Sequence, residues 1–362
     1  MQNKGKTNKF FPSEIKQNRI LTAIVGSYPK PKYIYPKSGR QLLDNLGFSF
    51  NEKNRNLDKA CIGAIRAQNE AGLDIITDGE ERRSHYVFHI LKGLEGFDFK
   101  NLKRVPYRGG ILYRDVPTVS RPIKYKKPIL VKEFKFTKQY SQGVPKIGLP
   151  GPSTVVDCIA DEYYKGNLEK MAYDYAKAIR NEVKGLIKAG CQVIQFDDPV
   201  LLRFPDRAKQ WGIQALEECF RGFENDATFI VHICCGYPNK PLEAKGINYK
   251  ANHNYYWNVL KWLSKSRLDV VSIEGAQSKL DLSVLPAIGE KTVMLGVLDV
   301  GEERAESIKE LVKRGKEALK YLPANQLILA PDCGMLELSQ LSAKQKLKNL
   351  GLAAQILNGR DI

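Results

Sequence analysis

The chain has 362 residues, 43% of them hydrophobic, which is typical of a globular protein with a large core and excludes global disorder. No run approaches the roughly 18 consecutive apolar residues of a membrane-spanning helix, and the polar start, residues 1–19, is typical of a flexible basic tail rather than a secretory signal. The net charge of +17 is unusual, and seven scattered cysteines do not form a dense disulfide framework, so we expect a cytoplasmic protein with reduced thiols and no membrane contact.

Eight apolar segments, rich in β-branched residues, predict strands at a steady spacing. They cover residues 20–27, 73–80, 146–153, 192–200, 228–235, 269–276, 292–300 and 327–333. Between them, apolar residues recur every three or four positions and predict amphipathic helices, four of which are marked by residues 57–65, 168–186, 308–319 and 347–357. Two helices are predicted to end at Gly72 and Gly190, directly before a strand, where glycine can adopt the left-handed conformation that ends a helix.

This alternation of strands and helices implies parallel strands joined by right-handed crossovers. Eight such units fit a closed barrel better than an open sheet. We therefore predict an α/β fold, a (β/α)8 TIM barrel, formed by a single domain over residues 20–362.

Residues 97–145 interrupt this rhythm between the second and third strands. Prolines and an alternating pattern, in which Tyr125, Phe134 and Phe136 stand among lysines, predict a β-rich insertion with these aromatic rings on half-buried strand positions.

The same insertion is strongly basic. Residues 101–146 carry twelve Lys and Arg against two acidic residues, a net charge of +10. Such a segment could bind nucleic acid, dock an acidic donor protein or support formation of a homo-oligomer. A solvated hairpin face is the simpler interpretation, and no recognised nucleic-acid motif surrounds it.

Polar residues interrupt the predicted strands at their carboxyl ends, which form the mouth of a barrel, where active sites are built. These residues are Ser27, Asp78, Glu80, Asp197, Asp198, His232, Cys234, Glu274, Asp299, Asp332 and Cys333. Any one of them could be incidental, but their shared position indicates a site.

Four of these residues predict a zinc-binding site. His232 and Cys234 lie two residues apart on one strand and share a face, while Cys235 points to the helix layer as a core thiol. A lone His-x-Cys pair is more often core packing than a metal site. However, Glu274 ends the sixth strand and Cys333 the eighth, on the same arc of the mouth, and one nitrogen, one carboxylate and two thiolates suit Zn²⁺.

The net charge of such a zinc site indicates which reaction it can support. Two thiolates and one carboxylate around Zn²⁺ leave a charge of about −1, so the metal is a weak Lewis acid toward water. It can still lower the pKa of a bound thiol and keep the thiolate nucleophilic. The expected reaction is attack of that sulfur on an alkyl carbon.

The motifs TAIVGSYP, ITDGEERR, LPGPST, IQFDDP, HICC, SIEGA, GVLDV and APDCG follow in this order between residues 20 and 357. Together they resemble the catalytic domain of the cobalamin-independent methionine synthases, and the ordered His-x-Cys, Glu and Cys set is the specific part. The resemblance implies methyl transfer to homocysteine and four zinc ligands, which are His232, Cys234, Glu274 and Cys333. It also implies that Ser27, with the backbone near Val25, holds the homocysteine carboxylate, and that Glu80 and Asp197 accept its ammonium group.

The sequence departs from the folate-dependent members of this family. Those proteins are longer and have an additional N-terminal barrel. Here Gly301 stands where they carry a histidine after the seventh strand, and Cys158 where they carry the aromatic residue that stacks on the pterin. The methyl donor is therefore open between a folate and another source, such as a corrinoid protein.

Other small thiols remain alternatives to homocysteine, because the short relatives that the chain resembles include zinc enzymes that add coenzyme M to epoxides. The acidic pair favours an amino acid, whereas the sulfonate of coenzyme M would need a cation, such as Arg82, Arg83 or the basic insertion. A non-enzymatic barrel that binds RNA or DNA predicts affinity that survives zinc removal. A metal-free enzyme like the porphyrinogen decarboxylases would leave the His, Cys, Glu and Cys set unexplained.

Overall fold

The computed structural model describes residues 19–35, 55–108 and 110–360, so the predicted tail up to residue 18 lies outside the described residues. Eleven strands occur in this part of the chain. They are β1 (Leu21–Thr22), β2 (Ile75–Ile76), β3 (Leu94–Tyr107), β4 (Leu112–Tyr125), β5 (Val144–Pro150), β6 (Ala160–Asp161), β7 (Val193–Asp197), β8 (Thr228–Ile233), β9 (Val270–Ile273), β10 (Thr292–Leu298) and β11 (Leu327–Pro331).

Eight of these strands form a parallel barrel in the order β1-β11-β10-β9-β8-β7-β5-β2. A parallel bridge between Ala23 and Ile75 joins β1 to β2 and closes the ring. Seven of them fall within the segments predicted from sequence, and β5 overlaps its segment but begins two residues earlier. The agreement arises because a strand covered on both faces has a continuous apolar sequence. The predicted TIM barrel is confirmed.

Helices cover the outside of the barrel. They are α1 (Arg55–Glu70), α2 (Tyr86–Leu91), α3 (Val131–Tyr140), α4 (Pro152–Asp157), α5 (Leu168–Lys188), α6 (Val200–Arg203), α7 (Pro205–Arg207), α8 (Ile213–Glu218), α9 (Lys240–Ala244), α10 (Tyr256–Leu263), α11 (Ile308–Ala318) and α12 (Gln340–Leu357). A π-helical turn lies at Ala208–Gly212, and 3-10 helices lie at His253–Tyr255, Leu282–Ile288 and Ala324–Gln326. Gly72 and Gly190 have φ angles of 67° and 89°, as predicted for helix ends. Within the described residues, no helix has both the length and the apolar character needed to cross a membrane.

The inside of the barrel is apolar at its base and polar toward its mouth. Its apolar base is formed by Leu21, Ala23, Val25, Ile75, Val144, Val193, Ile230, Val270, Met294, Ile328 and Ala330. Because side chains alternate along a strand, Ile230, His232 and Cys234 share the inner face of β8. Cys235 instead joins the core between the barrel and its helices, as predicted.

The insertion is a hairpin followed by a helix. Strands β3 and β4 pair in antiparallel fashion, and β4 also pairs with β6, which makes a small separate sheet and confirms the β-rich part. The strand predicted for Phe134 and Phe136 is wrong, since both lie in α3. Phe134 and Thr137 are buried at a helical spacing, whereas the ring of Phe136 lies 4.9 Å from that of Tyr140 on another face. The helix buries the ring of Phe134 fully. Burial of one aromatic side chain is worth about 2 kcal/mol, which favours this helical arrangement.

Candidate metal and substrate site

A cavity of about 210 Å³ opens at the carboxyl ends of the barrel strands. Seven of the sequence-predicted site residues line it, which are Val25, Ser27, Glu80, Asp197, His232, Cys234 and Cys333. The parallel register explains part of this convergence, because Asp197 on β7 pairs with His232 on β8, and His232 pairs with Ser272 on β9.

Other polar residues at the strand ends support the loops instead. Asp198 accepts hydrogen bonds from the backbone N–H groups of Ser153 and Thr154, at 3.2 and 2.7 Å. Asp332 accepts from the N–H groups of residues 275–277, at 2.6 to 2.9 Å. These two carboxylates therefore hold the frame of the mouth and do not face the cavity.

His232, Cys234 and Cys333 offer ligand atoms that all lie within 4.8 Å of one another. The sulfur atoms of Cys234 and Cys333 are 3.8 Å apart. Two sulfurs that each lie about 2.3 Å from a tetrahedral zinc ion are also separated by about 3.8 Å. The spacing of the two thiols therefore fits a shared metal ion.

The histidine is oriented for the same purpose. His232 Nδ1 lies 2.9 Å from Ser272 Oγ, while Nε2 is buried and has no hydrogen-bond partner among the described residues. A buried ring nitrogen without a partner is costly unless a ligand satisfies it. Ser272 takes the position of the outer partner that usually fixes a metal-binding imidazole.

The two thiols are electrostatically unequal. The hydrogen bond from Cys333 and the neighbouring His232 hold the pKa of Cys234 well below its usual range. The same contact raises the pKa of Cys333. Burial lowers the pKa of His232, but the Cys234 thiolate and Asp197 outweigh it and raise that pKa overall. The group thus holds one thiolate readily, as a metal site requires.

Glu274, the fourth ligand implied by the family resemblance, lies outside this close group. Its Oε1 accepts a hydrogen bond from Lys250 Nζ at 2.9 Å, and its Oε2 accepts from Cys235 N–H at 3.1 Å. Burial raises the pKa of Glu274 to about 7, although Lys250 lowers it. Both carboxylate oxygens of Glu274 therefore have hydrogen-bond partners of their own.

The acidic pair, Glu80 and Asp197, converges above Gly148. A methyl group added at Gly148 would lie 3.2 Å from Glu80 Oε1 and 3.3 Å from Asp197 Oδ2, so both carboxylates face the space above Gly148. Burial raises the pKa of Asp197 to about 6, against the opposing effect of His232. Two carboxylates that converge on one point can bind a cationic amino group.

Glu80 is held in an uncommon backbone conformation. Its φ is 55°, in the left-handed region, and its N–H donates to Asp78 Oδ1 at 2.9 Å. Arg83 Nη1 donates to Glu80 Oε1 at 3.0 Å and to the Gly148 carbonyl at 2.9 Å. Arg83 is thus a buried ion-pair partner of Glu80. A strained residue held this firmly is typical of a binding site.

A buried lysine, not predicted from the sequence, lies beneath the acidic pair. Lys146 Nζ donates to the carbonyl groups of Ile24 at 2.7 Å and Val25 at 2.9 Å, and to Gln195 Oε1 at 2.5 Å. Gln195 Nε2 in turn donates to Asp197 Oδ1 at 2.6 Å. Burial lowers the pKa of Lys146 to about 7, although the nearby Asp197 carboxylate acts in the opposite direction. Lys146 and Gln195 therefore position Asp197 and fix the Val25 carbonyl.

Ser27 lies at the edge of the cavity against the loop after β11. Its Oγ would be 2.1 Å from a methyl group added at Gly334. The hydroxyl of Tyr237 donates to the Gly334 carbonyl and accepts from Leu336 N–H, the latter at 2.7 Å. Only glycine fits at position 334, so this corner of the cavity is tightly defined.

The hairpin forms a cationic wall over the cavity, which we define as Tyr107, Arg108 and Arg114. Arg114 Nη2 lies 3.0 Å from Cys158 Sγ, and its guanidinium stacks 4.5 Å from the Tyr107 ring. Arg108 stacks 4.8 Å from the ring of Tyr249, and its buried Nη1 has no hydrogen-bond partner among the described residues. By contrast, Arg82 pairs with Asp58 and takes no part in lining the cavity.

Comparisons with known proteins agree with this architecture. Residues 20–356 match the family model described as cobalamin-independent synthase, catalytic domain. The chain is 31% identical over 345 residues to a methionine synthase of Saccharolobus solfataricus, covering 91% of this chain and 92% of the relative. It is 28% identical over 341 residues to a methionine synthase of Thermococcus kodakarensis, covering 93% of each protein.

A solved structure is similar over nearly the same length. It is a B12-independent methionine synthase from Shewanella sp. W3-18-1 in complex with selenomethionine, with 32% sequence identity and a TM-score of 0.85. The match covers 94% of this chain and 98% of that structure. The agreement in sequence and in fold therefore extends over the barrel and the insertion together.

Proposed function

The chain belongs to the cobalamin-independent methionine synthase family, and from this premise we propose that it transfers a methyl group to homocysteine at a zinc ion, giving methionine. The observation that carries the proposal is the close group of His232, Cys234 and Cys333, with a buried His232 Nε2 that lacks a hydrogen-bond partner among the described residues. We propose that residues 20–362 act as one catalytic domain and that the insertion over 97–145 forms part of its substrate cavity.

His232, Cys234 and Cys333 would hold the zinc ion, and Glu274 would be the fourth ligand. When bound there, zinc would lower the pKa of the substrate thiol and keep its sulfur nucleophilic. The homocysteine sulfur then forms a bond to the methyl carbon, the bond from that carbon to the donor breaks, and its electron pair stays on the donor. The thiol proton leaves to solvent before this step.

The acidic pair and Ser27 would orient the amino-acid end of the substrate. Glu80 and Asp197 are placed to bind the ammonium group above Gly148, and the Ser27 hydroxyl would bind the carboxylate. The Val25 carbonyl, held by Lys146, would fix the strand end that carries Ser27 rather than contact the carboxylate itself. With the amino-acid end fixed, the sulfur would be held next to Cys234 and Cys333.

The methyl donor would contact the cationic wall. Arg108 and Arg114 line the cavity beside the thiols, so a donor with acidic groups fits this face better than a neutral one. A folate with carboxylates and a corrinoid protein with an acidic surface both meet this requirement. Cys158, beside Arg114, stands where the folate-dependent members carry their stacking aromatic residue, but Tyr107 also lies against Arg114 and lines the cavity, so the donor stays open between the two.

A second candidate substrate is coenzyme M, because the cationic wall could also bind a sulfonate. It has no amino group, so the acidic pair would have no partner. Calorimetric titration of zinc-loaded protein with homocysteine and with coenzyme M separates the two proposals. We expect saturable binding of homocysteine only, and tighter binding of coenzyme M would contradict the first proposal.

The decisive experiment is elemental analysis of the purified protein together with an activity screen of homocysteine against several methyl donors. We expect about one zinc per chain and formation of methionine with at least one acidic donor. Less than about a tenth of an equivalent of zinc after careful preparation would count against the metal site.

A further inference from the structure

Lys250 forms a buried ion pair with Glu274 at the edge of the metal site. Their Nζ and Oε1 atoms are 2.9 Å apart, and the side chains are 21% and 2% exposed. The other oxygen of Glu274 accepts from Cys235 N–H at 3.1 Å. Both carboxylate oxygens therefore have partners from the protein itself.

The position of Lys250 is fixed from both sides along its chain. The carbonyl of Tyr249 accepts from Arg203 Nη2 at 3.1 Å, and Ala251 N–H donates to the Cys235 carbonyl at 2.7 Å. Lys250 Nζ also donates to Gln277 Oε1 at 2.6 Å, in the loop after Glu274. The loop over residues 236–252 thus holds this ammonium group against the end of β8.

Among the four proposed zinc ligands, Glu274 is the one with a cationic partner. His232 Nε2 has no hydrogen-bond partner among the described residues, and the sulfurs of Cys234 and Cys333 contact each other. A fully buried carboxylate that loses a partner carries a large desolvation cost unless another cation replaces it. A substrate thiolate also adds a negative charge to a site that already holds two thiolates.

From this asymmetry we infer that Lys250 is a positioning residue for the proposed reaction, which shares the Glu274 carboxylate with the metal and weakens the hold of this carboxylate on the ion. The inference rests on the proposed function. With a substrate thiolate bound, Lys250 would remain as the counter-charge of the Glu274 carboxylate, and no unpaired buried anion would be created.

The test compares wild type with Lys250→Met, Lys250→Gln and Lys250→Arg, all loaded with zinc. Zinc affinity without thiol is measured by competition with a chromophoric chelator, homocysteine affinity by calorimetry, and the number of sulfur ligands by zinc X-ray absorption. Lys245→Met is the matched control, because Lys245 lies on the same loop and is exposed.

Without the ammonium group, Glu274 should stay on the metal. We expect Lys250→Met and Lys250→Gln to bind zinc more tightly and homocysteine about tenfold more weakly, the size of one lost charge-assisted contact. Wild type should gain one sulfur ligand when homocysteine is added, and these variants should need about tenfold more homocysteine for the same gain. Lys250→Arg should restore most of the affinity, and Lys245→Met should behave as wild type.

The outcomes separate this inference from the function on which it rests. Unchanged homocysteine affinity in zinc-loaded Lys250→Met and Lys250→Gln would overturn the role of Lys250 alone. An equal loss in Lys250→Arg would do so too, because the charge would then not matter. A wild-type protein that binds no zinc, or binds zinc but no homocysteine, would overturn the proposed function and this inference with it.

Discussion

The cavity has two walls of different origin. One wall is built from strand ends, with Asp197, His232 and Cys234 set by the register of neighbouring strands. The other, which we call the loop wall, is built from segments outside the barrel strands, with Arg108 and Arg114 on the hairpin. Strand register fixes side-chain direction to within a residue, whereas loops reach the cavity through long-range contacts. We therefore expect the strand wall to bind the thiol and the amino-acid end of homocysteine, and the loop wall to contact the methyl donor.

The largest effect should come from the strand wall at the metal. We expect Cys333→Ser to lower zinc affinity by more than about 100-fold, because it removes a thiolate that has no substitute nearby. Chelator competition measures the change. Cys235→Ser is the matched control, since Cys235 lies in the outer core, and it should retain zinc. Equal losses in the two variants would contradict the assignment of Cys333 to the metal and of Cys235 to the outer core.

The amino-acid end of the strand wall should give the next effect. We expect Asp197→Asn to weaken methionine binding by about 10- to 100-fold, because a charge-assisted contact to the ammonium group is lost. Zinc content should not change. Asp198→Asn should alter stability but not binding, since Asp198 caps the backbone of Ser153 and Thr154. Calorimetry with methionine, which has no thiol, keeps this test separate from the metal.

The pH dependence of the same contact sharpens the prediction. The pKa of Asp197 is raised to about 6, and only the deprotonated carboxylate attracts an ammonium group. Methionine affinity should therefore be steady above this pKa and fall as the pH drops through it, by about tenfold between pH 7 and pH 5. Asp197→Asn should remove the dependence. An unchanged profile in that variant would assign the titration to another group.

The smallest effect should come from the loop wall. We expect Arg114→Met to reduce the rate with an acidic methyl donor by about five- to tenfold and to leave homocysteine affinity unchanged. The loss should shrink at high salt, since screening weakens the attraction in wild type as well. Arg104→Met is the matched control, because Arg104 lies on the exposed part of the hairpin and forms only an exposed ion pair with Asp115. A loss of homocysteine affinity in Arg114→Met would show that the two walls are not independent.

The same contrast explains what the sequence could reveal. The barrel strands were predictable because their residues are buried on both faces, and His232, Cys234 and Cys333 because a strand end in a barrel points to the mouth. The helix over Phe134 and Phe136 was not, because two aromatic residues two positions apart match the period of a strand, whereas in the helix they lie on different faces.

Loop contributions were missed for a different reason. Lys250 and Glu274 are 24 residues apart in the sequence, and Arg114 and Cys158 are 44 residues apart. Contacts over such separations leave no local sequence pattern. In the sequence, Lys146 stands out only as one of the twelve basic residues in residues 101–146. A lysine in an otherwise apolar strand, two positions after Val144, was the one available signal that it points into the barrel.

The barrel closes at a short joint between β1 and β2. Each of these strands has two residues, one ladder bridge between Ala23 and Ile75 joins them, and Asp74 N–H donates to the Thr22 carbonyl at 3.2 Å. The ammonium group of Lys146 strengthens this joint by bonding the carbonyl groups of Ile24 and Val25 from inside. Opening fluctuations should therefore concentrate at this seam, and amide hydrogen exchange should be faster there than in β8 or β10. Because Ser27 follows β1 closely in the chain, we expect such fluctuations to reach the edge of the cavity at Ser27.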